Sequence, residues 1–450
     1  MKGLEISEVR SSQLNGDTRI DAEYFSKSNV CLHTILLRYG VLSIGDIAFV
    51  TDGIHTSIDY DQNGYINLIS ATSPRENVFD LSRNVFISEK AHSNNPRTAL
   101  RKNDVIISTV GTIGNCAVVD NTILPANSDR HVGIIRLQKD YSPYVLSTFM
   151  LSKYGRMQTL RESTGNVQLN LFIYKLKELL VPNFPKNFQL QIEQMVKSAH
   201  AKLEESKQLY TAAENQLLEE LCLKNWQPKN ENINVKTLSE SFLSSGRLDA
   251  EYYQSKYDEL FTKLSKYQCD RIAYIVKIKK SIEPGSDAYR ECGVPFVRVS
   301  DVTKFGISEP SIFLDDSDVL KPLKLKKDTI LLTKDGSIGI AYKVDENMDC
   351  VTSGALLHLS IYNQDYNPDY LTLVLNSNIV KLQAERDSNG AIIQHWKPSD
   401  IEQVLIPKLS IEIQNEISAK IQRSFALKKE SKSLLEQTKT MVENEIEKGV

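Results

Sequence analysis

The side chains in this sequence that are best suited to chemistry are hydrogen-bonding and basic residues in segments rich in turn-forming residues. Arg, Lys, His, Asn, Gln, Ser and Thr on loops can meet the donors and acceptors that base pairs present in a DNA groove. The candidates in the first half of the chain are His55, Thr56, Ser57, Asn67, Thr109, Thr112, Arg130, His131, Asn166, Gln168 and Asn170. The candidates in the second half are Lys279, Lys280, Arg298, Ser300, Lys304, Lys334, Ser337, Asn389, Gln394 and His395. A structural role within its own loop is an equal alternative for each of these residues.

Three short basic clusters are candidates for binding phosphates. One is the segment 97–102, with Arg97, Arg101 and Lys102; the others are segments 277–280 and 321–327. Each cluster could equally be a solvated face. The chain carries 54 Lys and Arg against 57 Asp and Glu, a formal net charge of −3. This balance excludes a strongly basic nucleic-acid binder, so phosphate binding would depend on a local basic surface.

The sequence lacks the common catalytic motifs. It contains no GxxxxGK[ST], no HExxH, no GxSxG and no Asn-Pro-Pro-aromatic or Asp-Pro-Pro-aromatic tetrapeptide. The six cysteines form no CxxC, and the seven histidines have no metal-ligand spacing. Asp104 and Asp328 are interpreted as structural carboxylates at strand starts. We therefore expect a non-catalytic chain without a metal site.

An internal repeat dominates the organisation of the chain. The segment R-I-D-A-E-Y-F at residues 19–25 returns as R-L-D-A-E-Y-Y at residues 247–253, 228 positions later. Residues 102–107 return at 326–331, Ile-Gly at 113–114 returns at 338–339, and Leu-Val-Pro at 180–182 returns as Leu-Ile-Pro at 405–407. Stretches 50–100 and 275–325 barely match. We expect two similar lobes that share a scaffold and differ in structure in these stretches.

The elements that must position the candidate residues are short strands and long helices. Hydrophobic patterning predicts helices over 22–39 and 144–154, and strands over 44–50, 65–69, 104–108, 114–119 and 132–137. Apolar residues three or four apart predict long helices over 188–221 and about 411–446, which we expect to pair as an antiparallel coiled coil. The alternative is that each helix only caps its own lobe. The fold class is therefore α+β with a pseudo-two-fold internal repeat.

Composition supports a globular chain. Its 450 residues predict two to four domains, and 41% of them are hydrophobic. No run of about 18 apolar residues predicts a membrane span, and the first residues lack the apolar core of a signal peptide. The expectation is a cytoplasmic protein. A duplicated chain without an evident active site favours binding over catalysis, and two recognition surfaces at a fixed separation would suit bipartite DNA.

At this point the sequence resembles the specificity (S) subunit of Type I restriction–modification systems. The resemblance rests on the repeated R-[IL]-D-A-E-Y-[FY] segments, G-V-P-F-V-R-V-S-D at 293–301, the strand–Gly-x-Ile-Gly turns, G-N-V-Q-L-N at 165–170 and the long helix after each Leu-[VI]-Pro. It covers essentially the whole chain, and the duplicated order of the motifs is what makes it specific.

The resemblance implies a domain organisation. Residues 1–185 would form a first target recognition domain with an N-terminal helix, and residues 186–224 a central long spacer helix. Residues 225–246 would be a linker, residues 247–410 a second target recognition domain, and residues 411–450 a distal spacer helix.

The resemblance also implies partners. Each domain would read one half of a bipartite double-stranded DNA target, and methyltransferase (M) subunits would dock on the helices. The M subunits would bind S-adenosylmethionine and methylate adenine at N6, so this chain would need no cofactor, and motor-nuclease (R) subunits would join the complex. Two alternatives stay open, a specificity subunit of another methyltransferase-based defence system and a two-lobed protein scaffold without a DNA role.

Overall fold

The computed structural model describes residues 8–10, 21–165, 167–229, 231, 233–388, 390 and 394–448. The chain mixes α-helices and β-strands and folds into two compact units. Unit 1 comprises residues 1–204 and 428–450, and unit 2 comprises residues 205–427. Among the helices of the described ranges, none is long and apolar enough to cross a lipid bilayer.

Short strands and helices alternate in the first half of the chain. In chain order they are α1 (Lys27–Tyr39), β1 (Val41–Ser43), α2 (Ile44–Ile47), β2 (Ala48–Asp52), β3 (Ile66–Ile69), β4 (Pro74–Arg75), β5 (Val78–Phe79), β6 (Val85–Ile87), α3 (Glu89–Asn94), β7 (Val105–Ser108), β8 (Cys116–Val118), β9 (Ala126–Ser128), β10 (Val132–Leu137), α4 (Pro143–Leu151), α5 (Lys153–Glu162), α6 (Ile173–Glu178), β11 (Leu180–Pro182) and α7 (Lys186–Glu220).

The second half repeats this alternation. Its elements are α8 (Phe242–Ser245), α9 (Ser255–Leu264), β12 (Cys269–Arg271), β13 (Val276–Lys280), β14 (Val294–Val297), β15 (Val302–Thr303), β16 (Gly306–Ile307), β17 (Phe313–Leu314), β18 (Ile330–Thr333), β19 (Ala341–Lys343), β20 (Val351–Thr352), β21 (Leu356–Ile361), α10 (Pro368–Asn376), α11 (Asn378–Asp387), α12 (Pro398–Ile401), β22 (Leu405–Pro407) and α13 (Ile411–Lys448).

Each unit contains a four-stranded antiparallel sheet and a three-stranded mixed sheet. The four-stranded sheets have the orders β2-β10-β7-β8 and β13-β21-β18-β19. The three-stranded sheets have the orders β6-β3-β9 and β17-β14-β20, with one antiparallel and one parallel pairing each. The expectation that stretches 50–100 and 275–325 differ in structure is therefore wrong for their strand order. Strand pairing depends on backbone hydrogen bonds and on apolar residues at alternate positions, so the topology survives extensive side-chain change.

Capping chemistry accounts for one local difference from the sequence-based expectation. Residues 44–47 were expected to begin a strand, but they form the helix α2. The Ser43 hydroxyl accepts from the Asp46 amide at 3.1 Å, and the Asp46 carboxylate accepts from the Ser43 amide at 3.2 Å. This reciprocal capping box satisfies amide groups that a helix start leaves unpaired, and it lets a single turn form before β2.

The apolar core of each unit lies between its four-stranded sheet and a set of helices. In unit 1, Ile135 and Val105 of the sheet are buried with Phe149 of α4 and Ile192 of α7. In unit 2, the corresponding core contains strand residues such as Leu359 together with residues of α10, α7 and α13. Burying a side chain of this size contributes roughly 1.5–3 kcal/mol, so these cores fix the strands whose ends carry the candidate residues.

The two long helices contribute to both units. Within unit 1 the Ser431 hydroxyl donates to the Ala199 carbonyl at 2.7 Å. Within unit 2 the Ser424 hydroxyl donates to the Ser206 carbonyl at 2.7 Å, and a Gln216–Glu416 hydrogen bond measures 2.9 Å. Residue numbers rise along α7 as they fall along α13, so these segments of unit 2 run antiparallel.

Candidate nucleic-acid interface

Strand direction brings three loops of unit 1 together. Strands β2 and β7 run in the same direction and both pair with β10, with Asp52 opposite Gly133 and Ser108 opposite Val132. The segments that follow β2 and β7 and the segment that precedes β10 must therefore meet at one end of the sheet. We call residues 52–57, 109–112 and 129–131 the first edge.

A fourth segment joins the first edge through backbone hydrogen bonds. Thr164 and Asn170 exchange amide–carbonyl bonds of 3.0 and 2.8 Å, and the Leu171 amide donates to the Thr109 carbonyl at 2.8 Å. The structure thus brings most of the first-half candidates together. They are His55, Thr56, Ser57, Thr109, Thr112, Arg130, His131, Gln168 and Asn170. Asn166 lies outside the described residues.

A charged cluster organises the loop after β2. His55 Nε2 lies 2.6 Å from an Asp52 carboxylate oxygen, and Arg97 Nη1 lies 2.9 Å from the other. Partial burial works to raise the pKa of Asp52, but the hydrogen bonds from His55 and Arg97 outweigh it and lower that pKa below its ordinary value. Asp52 is therefore ionised at neutral pH and orients the side chains of both His55 and Arg97.

The loop after β2 passes very close to the segment before β10. The Ile54 amide donates to the Ser128 carbonyl at 2.8 Å. A Cβ atom at Gly53 would lie 2.0 Å from the Asp129 carbonyl oxygen, so this crossing requires glycine. Beyond it, the His131 amide donates to the Asp129 carboxylate at 2.9 Å, and Arg130 Nε lies 3.2 Å from His131 Nε2. The first edge therefore presents both donors and acceptors on a fixed backbone.

Three first-half candidates lie elsewhere. The Asn67 side chain sits on β3, donates to the Ile123 carbonyl at 2.8 Å and accepts from Asn84 at 2.5 Å. These bonds tie strands together and account for this amide within the fold. Arg101 and Lys102 are exposed, but they precede β7 and so lie at the opposite end of the sheet from the first edge.

The turn before β7 is fixed by a buried ion pair. The Asp104 side chain is 2% exposed and accepts from Arg136 Nε at 2.8 Å and from Arg136 Nη2 at 2.7 Å. It also accepts from the Arg101 amide at 2.8 Å. The expectation that Asp104 is a structural carboxylate is confirmed by these contacts. Asp328, which the sequence repeat aligns with Asp104, is exposed and lies 4.0 Å from Lys343, and the backbone hydrogen bonds place Thr329 at the position of Asp104.

Unit 2 has an equivalent sheet end. Lys280 ends β13 opposite Leu357, and Thr333 ends β18 opposite Leu356. We call residues 279–285, 334–337, 353–355 and 394–395 the second edge. It contains the candidates Lys279, Lys280, Lys334, Ser337, Gln394 and His395. The Gly336 amide donates to the Gln394 carbonyl at 2.9 Å, which brings the last segment to the edge.

The second edge also contains a carboxylate that lies between a lysine and a histidine. The Asp335 carboxylate contacts the Lys334 ammonium and lies 2.8 Å from His395 Nδ1. Partial burial opposes ionisation, but the hydrogen bonds from Lys334 and His395 lower the pKa of Asp335 below its ordinary value. Lys279 and Lys280 are exposed, and in the described part of the chain no carboxylate lies within ion-pair distance of either.

The remaining second-half candidates follow β14. The Arg298 amide and the Ser300 hydroxyl both donate to Asp301, at 2.8 and 3.2 Å. Lys304 Nζ lies 2.8 Å from Glu214 of α7 and 4.7 Å from the centre of the Tyr210 ring. Lys304 therefore attaches the β15–β16 hairpin to α7. Asn389 lies outside the described residues.

Several residues of the two edges are absent from the sequence-based candidates. Asp129 and Asp335 are two of them, and each lies within ion-pair distance of a histidine. Asp52, which orients His55, lies in the loop 51–57 that the sequence interpretation favoured as a whole. Arg97 belongs to a basic cluster interpreted as phosphate-binding, and its guanidinium also contacts the Asp52 and Gly53 carbonyls. Nothing in the local sequence around Arg97 indicates that contact, because its partners lie 44 to 46 positions earlier.

The chemistry available at the two edges is hydrogen bonding and charge pairing. Within the described ranges, no group of three or more His, Cys, Asp and Glu residues is placed to hold a metal ion. Exposed amide, hydroxyl, imidazole and ammonium groups can bond to base edges, and unpaired lysines can bind phosphates. Both edges therefore have the side-chain types that protein–DNA recognition uses.

Comparisons with known proteins identify similar solved structures. No protein-family model and no curated protein matches the chain. The chain is similar to the S subunit of a Type I restriction–modification system from M. genitalium, at 16% identity and a TM-score of 0.43, over 91% of this chain and 95% of that one.

Two further structures are similar. One is a chain from a structural study of complex assembly and conformational transition in the type I R-M system, at 14% identity and a TM-score of 0.30 over 91% of this chain and 97% of that one. The other is the HsdS subunit from Thermoanaerobacter tengcongensis, at 15% identity and a TM-score of 0.29 over 90% of this chain and 96% of that one. The family that the repeated sequence motifs resemble, the specificity subunits of Type I restriction–modification systems, is thus also the family of similar solved structures.

Proposed function

We propose that this chain is the non-catalytic DNA-recognition subunit of a Type I restriction–modification complex. The observation that carries the proposal is the presence of two equivalent sheet edges, one in each unit, that bear exposed hydrogen-bonding and basic side chains. The duplicated sequence motifs point to the same function. In this proposal each edge reads one half of a bipartite double-stranded DNA target.

The two edges can be compared position by position because strand register relates them. Asp52 and Lys280 are the last residues of β2 and β13, and each is opposite the second residue of the paired strand. Two residues further along, Ile54 makes an isolated parallel bridge to the segment before β10, and Ile282 makes one to the segment before β21. The backbone is therefore repeated while side chains differ, which is what reading two different half-sites requires.

The long helices are proposed to act as a coiled-coil spacer. At 1.5 Å per residue, the 35 residues of α7 span roughly 50 Å and the 38 residues of α13 roughly 57 Å. In this proposal the helices act as the spacer between the parts of the chain that read the two half-sites. The pseudo-two-fold repeat would then match the arrangement of two half-sites.

The repeated frame contains equivalent Arg–Tyr contacts in both units. In unit 1 the Arg161 guanidinium lies 3.9 Å from the centre of the Tyr24 ring, and in unit 2 Arg386 lies 5.0 Å from that of Tyr252. Both tyrosines belong to the repeated R-[IL]-D-A-E-Y-[FY] segments. A feature shared by both units cannot distinguish two half-sites, so we assign it to the frame on which M subunits dock. The M subunits would bind S-adenosylmethionine, and R subunits would join them.

Genome-wide methylation mapping tests the proposal. Single-molecule sequencing would compare the host with a strain that lacks this gene. The proposal expects loss of N6-methyladenine at one bipartite motif and its return when the gene is restored. A chain that captures M subunits but leaves every methylation mark unchanged would overturn the DNA-reading proposal and favour a protein scaffold.

A further inference from the structure

One arginine from a distant part of the chain contacts both the end of β2 and the start of the loop that follows it. Arg97 Nη1 donates to the Asp52 carboxylate at 2.9 Å and to the Asp52 carbonyl at 3.1 Å, and it also contacts the Thr51 hydroxyl. Its Nη2 atom donates to the Gly53 carbonyl at 3.2 Å. Four contacts to three consecutive residues constrain both the backbone of the loop and the carboxylate that binds His55.

The backbone that carries Arg97 is itself fixed by a buried amide. Asn127 is fully buried and donates to the Thr98 hydroxyl at 2.8 Å and to the Asn95 carbonyl at 3.1 Å. Its side-chain oxygen lies 2.5 Å from His92 Nδ1. A buried side-chain amide whose hydrogen bonds are all satisfied favours one local conformation strongly. The backbone turn that carries Arg97 is therefore rigid.

Unit 2 lacks this arrangement at the equivalent positions. The Leu100 amide donates to the Ala126 carbonyl as the Leu325 amide donates to the Cys350 carbonyl, which places Pro322 at the position of Arg97. Pro322 has no side-chain donor, so at this position the second edge has no group equivalent to the guanidinium of Arg97. An effect that depends on Arg97 should be confined to unit 1.

We propose that Arg97 is a positioning residue that sets the geometry of Asp52 and His55 for reading bases in one half of the DNA target. The proposal deepens the proposed function and rests on it. Although the Arg97 side chain is 49% exposed, two of its three nitrogens are committed to the loop. Arg97 then acts on DNA through His55. Loss of Arg97 should therefore weaken discrimination between base pairs more than it weakens neutralisation of the phosphate charges.

The alternative is that Arg97 binds a DNA phosphate directly. The two roles differ in salt dependence, because each phosphate contact adds about 0.9 to the slope of log K against log salt and acts on all sequences alike. A positioning residue leaves that slope nearly unchanged. It lowers discrimination at the base pairs that the positioned side chain reads, by roughly tenfold for one good contact.

The test uses the complex of the full chain with its M subunits. The variants are Arg97→Gln, Arg97→Lys and, as a matched exposed cation outside the edge, Lys102→Ala. Binding is measured at several salt concentrations on the target and on duplexes with single substitutions in either half. The expected result for Arg97→Gln is roughly tenfold weaker discrimination in one half only, a slope changed by less than about 0.5, and wild-type behaviour for Lys102→Ala.

Other results would overturn the proposal. A slope reduced by about one with discrimination intact would identify a phosphate contact. Equal loss of discrimination in both halves would identify a general structural defect. If the wild-type complex itself shows no sequence preference, the proposed function fails, and that failure is visible before any variant is compared.

A second measurement tests the positioning role without DNA. Hydrogen exchange of the full chain reports the Ile54 amide, which is bonded to the Ser128 carbonyl. Arg97→Gln should speed exchange in the peptide covering residues 50–58 by about tenfold or more while peptides of unit 2 stay unchanged. Unchanged exchange at residues 50–58 would show that Arg97 does not hold this loop.

Discussion

The strongest test of DNA contact at the second edge is removal of its two unpaired lysines. Lys279 and Lys280 are exposed, and in the described part of the chain neither has a carboxylate within ion-pair distance. A lysine already paired to a carboxylate would have to break that pair before it could bind DNA. Lys279 and Lys280 have no such pair to break, so each should contribute a full phosphate contact.

The expected magnitude follows from counterion release. Two lost phosphate contacts reduce the slope of log K against log salt by about 1.8, which corresponds to about 60-fold weaker binding at 0.1 M salt. The effect should shrink toward 1 M salt and should be the same for target and non-target duplexes, because phosphates carry no sequence information. The variant is Lys279→Ala/Lys280→Ala.

Unit 2 supplies a matched control. Lys326 and Lys327 are also adjacent and exposed, and they precede β18, so they lie at the opposite end of the same sheet. Fluorescence anisotropy of the complex with M subunits, at several salt concentrations, compares the two double variants. Lys326→Ala/Lys327→Ala should leave the slope within about 0.5 of wild type. Equal slopes for the two double variants would refute the assignment of the second edge as the DNA-facing surface.

Three further predictions concern stability. Asp104→Ala should lower the free energy of unfolding by about 3–5 kcal/mol in calorimetry because it leaves the mostly covered Arg136 guanidinium without its buried carboxylate, whereas Asp328→Ala should cost under about 1 kcal/mol. Gly53→Ala should cost about 1–3 kcal/mol and weaken reading of one half-site, since its Cβ would lie 2.0 Å from a carbonyl oxygen; wild-type stability and binding would contradict this. Burial is the main cause that lowers the pKa of His358 to about 4, and the nearby Lys279 charge is the second. Because the unfolded chain binds this proton near pH 6.5, the stability that neutral His358 contributes is present above pH 6.5 and is lost as the pH falls toward 4. The loss in the free energy of unfolding is at most about 3 kcal/mol. Urea titrations should show less acid sensitivity in His358→Gln.

Much of the fold was predictable because its signals are local or repeated. The long helices follow from apolar spacing, and the predicted starts of strands near residues 104, 114 and 132 agree with β7, β8 and β10. The turns that place Thr109 and Thr112 were predictable because Gly111 and Gly114 recur in the second half, and both have positive φ. Periodicity, turn chemistry and duplication each depend on residues near one another in the sequence or on direct comparison of its halves.

The roles of individual polar residues were less predictable because they depend on distant partners. Asn67 was a candidate base reader, but Ile123 and Asn84 occupy its side chain. Lys304 was another, but it is paired with Glu214, which lies 90 positions earlier. A sequence gives the donor or acceptor type of a side chain. Whether that group is already satisfied is decided only when the chain folds.

The two edges differ in a way that bears on the target itself. At the last position of the strand, Asp52 in unit 1 stands where Lys280 stands in unit 2, and three residues later His55 stands where Glu283 stands. Acceptor and donor character are therefore exchanged at corresponding places on the same backbone. Hydrogen bonds within the sheets satisfy that backbone, so Asp52 and Lys280 can differ while the strand pairing is kept. If the proposed function holds, surfaces with opposite hydrogen-bonding chemistry would prefer different base edges, so we expect the two halves of the proposed target to differ in sequence.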